Sequence, residues 1–223
     1  LESKGVIFVD EVAEVPENSN IVFSAHGVSP MVVQEAEDRS LNAIDATCPL
    51  VTKVHVEVIK MRKEGMTIIM IGHRGHPEVE GTLGQAPEGI HLVESIHDVQ
   101  TLTISADTPV AYVTQTTLSV DETKEIVDAL KAKYPHIQQP KKQDICYATQ
   151  NRQDAVKFMA PQVDLVIVVG SPNSSNSNRL RELSEKLGVV SYMVDHPSQL
   201  KPEWFVGKKR VGLTAGASAP ESL

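Results

Sequence analysis

Aromatic side chains make up only 4% of the 223 residues, and there is a single tryptophan. This scarcity argues against a protein that binds single-stranded nucleic acid, because such proteins stack bases on aromatic rings. Basic residues are outnumbered by acidic residues, 21 against 29, which gives a net charge of −8. The acidic balance argues against nucleic acid or an anionic membrane as the main partner.

Long apolar runs are also missing: none approaches the ~20 residues that a membrane-spanning helix needs, and no segment resembles a secretory signal. Cysteine is rare, with Cys48 and Cys146 as the only two. Cysteines without a secretory context favour a reducing compartment, where thiols bind metals or act in catalysis. We therefore expect a protein of a reducing compartment such as the cytoplasm.

The two cysteines begin two copies of one sequence pattern. Each is followed by a helical stretch, an apolar strand and a polar loop. The glycines that end the two strands, Gly72 and Gly170, are 98 residues apart, as are Cys48 and Cys146. A fixed period indicates repeated structural units. The repeat predicts that both cysteines converge on one site, with a metal centre as the occupant.

The opening residues fit the later part of a further copy. Residues 6–10 and 21–29 correspond to residues 90–94 and 110–119 of the copy that follows Cys48. The repeat then places an equivalent cysteine roughly 35–40 residues before Leu1. We therefore expect the chain to be a fragment that begins within its first unit.

Short strands rich in valine and isoleucine alternate with helical patterns, as in βαβ units on parallel sheets. The repeat divides the chain into three α/β domains at residues 1–47, 48–143 and 144–223, the first of them incomplete. Ligands of such sheets bind at the carboxyl ends of the strands. Both cysteine segments and the polar loops fall at these ends.

An isolated cysteine is ordinarily a buried apolar side chain, but the matched positions of Cys48 and Cys146 favour a role as metal ligands. Three thiolates from three units suit an iron–sulfur cluster that leaves one iron open to substrate. A three-thiolate zinc site is the alternative, although structural zinc normally takes a fourth protein ligand.

The polar loop after the first apolar strand contains His76 and Glu78, an imidazole and a carboxyl group suited to anion binding and proton donation. The alternative is a solvated loop with a helix that starts near Pro77. A His-x-Glu zinc deaminase is excluded, because no Pro-Cys-x-x-Cys follows.

The equivalent loop after the next strand is richer in polar groups. Residues 171–178 are all serine or asparagine except Pro172. Hydroxyl, amide and backbone N–H groups at a helix N-terminus bind anions, and their number here exceeds what capping requires. Three strand-end segments, residues 24–27, 114–117 and 215–218, add small polar residues at the same edge. His26 among them could pair with the charge of a diphosphate.

Residues 45–55, 72–81, 114–119, 144–152 and 170–180 together resemble the 4-hydroxy-3-methylbut-2-enyl diphosphate reductase family, also called IspH or LytB. The resemblance covers essentially the whole chain. It implies a pseudo-threefold α/β fold of three small parallel-sheet domains around a central iron–sulfur cluster of the 4Fe-4S type. Cys48 and Cys146 would be two of its three cysteine ligands. The family's third cysteine and an upstream histidine match nothing in this chain.

The same resemblance implies the remaining roles. Glu78 would deliver protons to the departing hydroxyl, and Thr116 would order that hydroxyl or a water molecule. The diphosphate would be bound by His26, His76, Ser174, Ser175, Asn176 and Ser218.

The implied reaction is the reductive dehydroxylation of the allylic diphosphate to isopentenyl and dimethylallyl diphosphate. This reaction is the last step of the methylerythritol phosphate pathway, and ferredoxin or flavodoxin would supply the electrons. The resemblance also implies a bacterial cytoplasmic protein, or one of the plastid stroma if a transit peptide precedes Leu1.

Two other functions fit part of the sequence. Quinolinate synthase also resembles three stacked α/β units with a three-cysteine cluster, although its signatures differ from these loops. A non-catalytic phosphate-binding module would keep the polar loops and leave the cysteines merely buried. Because the third cysteine is expected outside the chain, we expect the chain alone to be inactive.

Overall fold

The computed structural model describes residues 2–105 and 107–220, apart from the side chain of Ser3. Leu1, Ala106 and residues 221–223 lie outside the described residues, including the last three positions of the predicted third domain.

Strands and helices alternate along the described chain. The strands are β1 (Asn20–Phe23), β2 (Asn42–Asp45), β3 (Thr67–Ile71), β4 (Ile90–Val93), β5 (Val110–Thr114), β6 (Leu165–Val169), β7 (Ser191–Val194) and β8 (Val211–Ala215). The helices are α1 (Pro30–Asp38), α2 (Pro49–Lys63), α3 (Pro77–Leu83), α4 (Ile96–Thr101), α5 (Val120–Lys133), α6 (Tyr147–Met159) and α7 (Ser175–Lys186). Short 3-10 helices lie at Glu2–Lys4, Val12–Glu14, Ala160–Gln162, Pro197–Gln199 and Pro202–Phe205.

The strands form three small parallel sheets, as predicted. β1 pairs with β2, β3 lies between β4 and β5, and β6 lies between β7 and β8. Thr67 is opposite Val110 in the second sheet, and Leu165 is opposite Val211 in the third. Parallel pairing brings the carboxyl ends of neighbouring strands to one edge, which is where the polar loops begin.

The central strands β3 and β6 are continuously apolar because both of their faces are covered. Ile68, Ile69 and Met70 are completely buried in β3, and Leu165, Val166 and Val168 are completely buried in β6. Burying an aliphatic side chain of this size contributes about 1.5–3 kcal/mol. These two strands therefore anchor the loops that follow them.

The chain forms two compact units. One consists of Leu1–Gln115 and Ile126–Asp144, and the other of Thr116–Glu125 and Ile145–Leu223. The boundary passes through α5. The division into three domains at residues 1–47, 48–143 and 144–223 stays a prediction.

Each unit has its own apolar core. In the first unit, α2 packs on β3 through a cluster of aliphatic side chains and methionines. Its members are Val54, Val58, Met61, Ile68, Met70, Val79, Ala86, Ala111 and Val113. A second cluster surrounds β1: Val12, Val15, Phe23, Ala36 and Leu41. In the second unit, the two sides of β6 bury separate sets: Val156, Val166, Val168 and Leu180 on one, and Leu165, Ile167 and Val194 on the other.

The predicted repeat is visible in the sheets, because β3, β4 and β5 take the same relative positions as β6, β7 and β8. One part of the prediction is wrong. Residues 6–10 were expected at the position of β4, but they form no strand. A strand needs a hydrogen-bonded neighbour, and no described residue pairs with this segment, in which Ile7 and Phe8 are exposed.

None of the helices among the described residues combines the length and the apolar character needed to cross a bilayer.

Candidate cysteine and anion sites

Cys48 and Cys146 have nearly the same local structure. Each is the residue directly before a long helix, with φ and ψ of −58° and 131° at Cys48 and −60° and 133° at Cys146. Each backbone N–H donates to a carbonyl two residues beyond a strand end, at Ala25 (3.0 Å) and Thr116 (2.9 Å) respectively. The predicted equivalence of the two cysteines is thus a property of the backbone.

Both thiols are suited to ligand roles. They are partly exposed, form no disulfide, and make no capping hydrogen bond to their helices. Cysteine sulfur is a common ligand of iron and zinc. Across the described residues, no group of three or more His, Cys, Asp or Glu side chains could hold a metal ion. Cys48 lies in the first unit and Cys146 in the second.

His76 and Ser174 are likewise equivalent, because each caps the helix that follows a central strand. His76 Nδ1 accepts a hydrogen bond from the backbone N–H of Glu78 (3.2 Å), and Ser174 Oγ accepts one from that of Ser177 (3.3 Å). Both residues are 98 positions apart in the sequence. A polar side chain at this position satisfies a helix N–H and faces the strand-end loops.

In the first unit, His26 and His76 lie edge to face, with ring centroids 5.5 Å apart. Burial, together with repulsion from the charged forms of His26 and His73, lowers the pKa of His76 to about 4. Burial also lowers the pKa of His26. Both imidazoles are therefore neutral at pH 7 without a ligand, and a bound anion would favour their protonation.

Glu78 lies in the first turn of α3 and is 2% exposed. Its equivalent in the second unit, Asn176, is 5% exposed and also lies in the first turn of its helix. Pro77 begins α3, since its fixed φ suits the first helical position. The helix start predicted near Pro77 thus coexists with a buried carboxyl group.

The loop that carries His26 is held against α2. Gly27 has φ of +74°, which favours glycine, and a Cβ atom there would lie 2.7 Å from His55 Cε1. This close packing on α2 fixes the loop, which joins β1 to α1. His26 Nδ1 and Ser24 Oγ are 3.1 Å apart, which orients the imidazole.

In the second unit, three of the predicted serines lie together. Ser174 Oγ is 3.5 Å from Ser218 Oγ, and Ser175 Oγ accepts a hydrogen bond from Thr117 Oγ1 over 3.0 Å. The strand-end loops after β5 and β8 thus contribute hydroxyl groups beside the N-terminus of α7. Hydroxyls, backbone N–H groups and the positive end of a helix dipole are all groups that favour anions.

Asn176 is held by both ends of its side-chain amide. Its Oδ1 accepts from the backbone N–H of Ala217 (3.1 Å), and its Nδ2 donates to Thr149 Oγ1 (3.1 Å). These bonds use the acceptor and one of the two N–H groups. Asn176 therefore orders the loop before Ser218 as well as lying at the site.

The ten predicted site residues fall into two groups, one in each unit. Cys48, His26, His76 and Glu78 belong to the first unit, and Cys146, Thr116, Ser174, Ser175, Asn176 and Ser218 belong to the second. Thr116 is buried and holds Cys146 through its carbonyl. The catalytic and binding roles of all ten stay predictions.

Sequence reasoning missed Thr117, Thr149 and Ser177, each of which holds a predicted site residue. The repeat contained a signal for one of them, because Thr117 takes the position of His26 and Ser218, three residues beyond a strand end.

A buried ion pair supports the segment before Cys146. Asp144 has a fully buried side chain that accepts from Lys53 Nζ (2.6 Å) and from the backbone N–H of Thr114 (2.9 Å). Burial raises the pKa of Asp144, while Lys53 opposes that shift. The pair connects α2 to the end of β5.

The chain is similar to proteins of one known family. A family model described as LytB protein matches residues 1–223. A 4-hydroxy-3-methylbut-2-enyl diphosphate reductase of Ralstonia nicotianae is 70% identical over 223 residues, which are 100% of this chain and 69% of that protein. A second such reductase, from Burkholderia mallei, is 67% identical over all of this chain and 68% of its own length.

A solved structure is also similar. The E-1-hydroxy-2-methyl-but-2-enyl-4-diphosphate reductase from Plasmodium falciparum aligns with a TM-score of 0.96 and 42% identity, over 99% of this chain and 70% of that one.

The fold defines an α/β protein of small parallel sheets, with two free cysteines that each directly precede a helix. The chain belongs to the LytB protein family. The predicted family and fold class are thereby confirmed, and the quinolinate-synthase alternative is set aside.

Proposed function

We propose that this chain is the substrate-binding and proton-donating part of a 4-hydroxy-3-methylbut-2-enyl diphosphate reductase. The observation that carries the proposal is the equivalence of Cys48 with Cys146 and of His76 with Ser174. Thiol ligands and anion ligands recur at the same backbone positions in both units. The names of the relatives support the same reductive reaction of isoprenoid biosynthesis.

Cys48 and Cys146 would be ligands of an iron–sulfur cluster, as the resemblance implied. The donor set fits, because both thiols are free and partly exposed, and cysteine sulfur is the usual ligand of iron–sulfur clusters. When bound, such a cluster supplies electrons and a Lewis-acidic iron for the substrate hydroxyl.

The diphosphate would be bound by hydroxyl and imidazole groups. Ser174, Ser175 and Ser218 present O–H donors beside the N-terminus of α7, and its dipole favours a negative charge. His26 and His76 would become protonated against the anion and so add positive charge only when substrate is bound.

Glu78 would donate the proton that makes water the leaving group. The reaction replaces a C–O bond with a C–H bond, consumes two electrons and two protons, and releases water. A buried carboxyl group at the start of α3 is suited to this task, because general acids act from sites with limited solvent. Thr116 would order the departing hydroxyl. Ferredoxin or flavodoxin is the proposed source of the electrons.

Anaerobic reconstitution of the complete gene product with iron and sulfide tests the proposal. We expect visible charge-transfer absorbance and turnover of the hydroxylated diphosphate with a chemical reductant. Glu78→Gln should lower turnover by about 10²–10⁴-fold while the absorbance is retained. Glu80→Gln is the matched control, because Glu80 is on the same helix but exposed and accepts a hydrogen bond from the backbone N–H of Gly75.

Absence of a cluster under these conditions would reject the reductase and leave a phosphate-binding module. A cluster without turnover of the hydroxylated diphosphate would reject the proposed substrate. Unchanged activity of Glu78→Gln would remove Glu78 from the role of proton donor.

A further inference from the structure

Ser177 lies directly behind Ser174 in the second unit. It is the third residue of α7, and its side chain is completely buried. Its Oγ donates to Ser174 Oγ over 3.0 Å, and its backbone N–H donates to the same oxygen over 3.3 Å. Ser177 therefore donates two hydrogen bonds to Ser174, a residue predicted to bind the diphosphate.

These two hydrogen bonds determine whether the Ser174 hydroxyl acts as a donor or an acceptor towards a ligand. A hydroxyl group has one donor and two acceptor positions. Because both acceptor positions of Ser174 Oγ are occupied from behind by Ser177, its own proton must point elsewhere. Ser218 Oγ lies 3.5 Å from Ser174 Oγ. The Ser174 hydroxyl is thus oriented as a donor, which is the role that an anion requires.

Two glycines make room for the Ser177 hydroxyl. A Cβ atom at Gly170 or at Gly216 would lie 2.1 Å from Ser177 Oγ. These glycines follow the carboxyl ends of β6 and β8, so both neighbouring strands leave space for a single oxygen atom. Such close packing fixes the rotamer of Ser177 and hence the direction of its O–H bond.

The repeat shows that packing alone does not require a hydroxyl at this position. The equivalent residue in the first unit is Val79, which is buried against Gly72, the equivalent of Gly170. A valine therefore fills the corresponding niche where the capping residue is His76. The hydroxyl of Ser177 occurs in the second unit, where the capping residue is Ser174 and its hydroxyl group can rotate.

We infer that Ser177 is a positioning residue that holds Ser174 as a hydrogen-bond donor to the diphosphate. This inference rests on the proposed function, because it needs Ser174 to contact the anion. Ser177 itself is buried and acts only through Ser174.

Binding of inorganic pyrophosphate to the complete gene product, measured by isothermal titration calorimetry, tests the inference. Ser177→Ala should weaken binding about threefold to tenfold, the effect of one hydrogen bond. Ser174→Ala should weaken it at least as much. In the double variant, Ser177→Ala should add nothing further, because its target is gone.

Ser184→Ala is the matched control. Ser184 is also completely buried in α7, and its Oγ donates to the backbone carbonyl of Leu180 rather than to a site residue. We expect it to lower the thermal unfolding midpoint about as much as Ser177→Ala does, with pyrophosphate affinity unchanged. Equal affinity losses in the two variants would mean that Ser177 acts through helix stability, which would overturn the inference.

The remaining outcomes separate the inference from the proposed function. If Ser174→Ala weakens pyrophosphate binding and Ser177→Ala does not, the inference is wrong and the anion site stands. Additive losses in the double variant would also overturn it. If Ser174→Ala has no effect, the proposed anion site fails, and the inference fails with it.

Discussion

The backbone N–H of Cys48 donates to the carbonyl of Ala25 over 3.0 Å, and this bond has a counterpart at Cys146. In both cases the backbone of the cysteine is fixed to a strand-end loop while the thiol makes no capping bond to its helix. The cysteine is thus positioned by main-chain contacts that do not depend on its side chain.

We therefore predict that Cys48→Ala and Cys146→Ala each abolish cluster assembly without unfolding the protein. Because the backbone bonds remain, the free energy of unfolding of the iron-free protein should change by about 1 kcal/mol or less. Iron content and visible absorbance after reconstitution measure the first effect, and urea unfolding measures the second. Full iron content in either variant would show that the replaced cysteine is not a ligand.

A second prediction concerns the pH dependence of stability. The pKa of His76 is about 4 in the folded protein, against an ordinary value near 6.5. Between these values the unfolded chain binds more protons, so the free energy of unfolding falls as the pH is lowered from 6.5 towards 4. The contribution of His76 is fully present above pH 6.5. His76→Asn, which keeps a capping side chain, should flatten this decline.

Urea unfolding at pH 7, 6 and 5 checks the sign by comparing the variant with the parent protein. The comparison is needed because burial raises the pKa of Asp144, so the folded protein binds more protons there than the unfolded chain. Asp144 therefore makes the free energy of unfolding rise as the pH falls, opposite to the effect of His76. Hydrogen bonds lower the pKa values of Asp45 and Asp98. Their contribution to the free energy of unfolding is therefore lost only below about pH 4, outside the measured range of pH 5 to 7. Parallel curves for variant and parent would contradict the prediction.

The third prediction concerns the ion pair of Lys53 and Asp144. Removing one partner leaves an uncompensated buried charge, so Lys53→Met should destabilise the protein by about 2–4 kcal/mol. Asp144→Asn should also destabilise it. The double variant should lose less than the sum, with a coupling energy of about 1–3 kcal/mol.

The ion pair of Lys60 and Glu64 provides the control on the same helix. Its side chains are 57% and 46% exposed and 3.8 Å apart, so Lys60→Met should cost about 0.5 kcal/mol or less. Urea unfolding of all variants at one pH makes the comparison. Additive effects of the Lys53 and Asp144 substitutions would show that the two side chains are not coupled.

The sequence predicts some of these features well and others not at all. The apolar strands predicted to end at Gly72 and Gly170 are β3 and β6, because strands buried on both faces have continuous apolar patterns. The helix start near Pro77 is also readable, since proline favours the first helical turn. In these cases the local sequence itself determines the structure.

Other features depend on residues that are distant in the sequence. Asp144 lies 91 residues from Lys53, and in the sequence it could equally be a surface carboxylate. Ser177 belongs to a polar run that is typical of an exposed helix start, and its burial depends on Gly170 and Gly216. Only the folded protein brings these residues together, so their roles could not be predicted from the local sequence.

The last prediction uses the two glycines around Ser177. A Cβ atom at either position would lie 2.1 Å from Ser177 Oγ, so Gly170→Ala and Gly216→Ala should each destabilise the protein by about 1–3 kcal/mol. The two variants should respond differently to removal of that oxygen. At Gly216 the next contact is Ser177 Cβ at 3.3 Å, whereas at Gly170 the same Cβ atom is only 2.7 Å away.

Ser177→Ala should therefore recover most of the stability lost by Gly216→Ala and little of that lost by Gly170→Ala. Urea unfolding of the two double variants and their parents gives the coupling energies, about 1 kcal/mol at Gly216 and near zero at Gly170. The result does not depend on cluster or substrate, so it tests the packing around Ser177 separately from its effect on Ser174. Equal recovery in both double variants would contradict the prediction. It would mean that removing the Ser177 hydroxyl also relieves the clash at Gly170, although Ser177 Cβ remains 2.7 Å from the added methyl group.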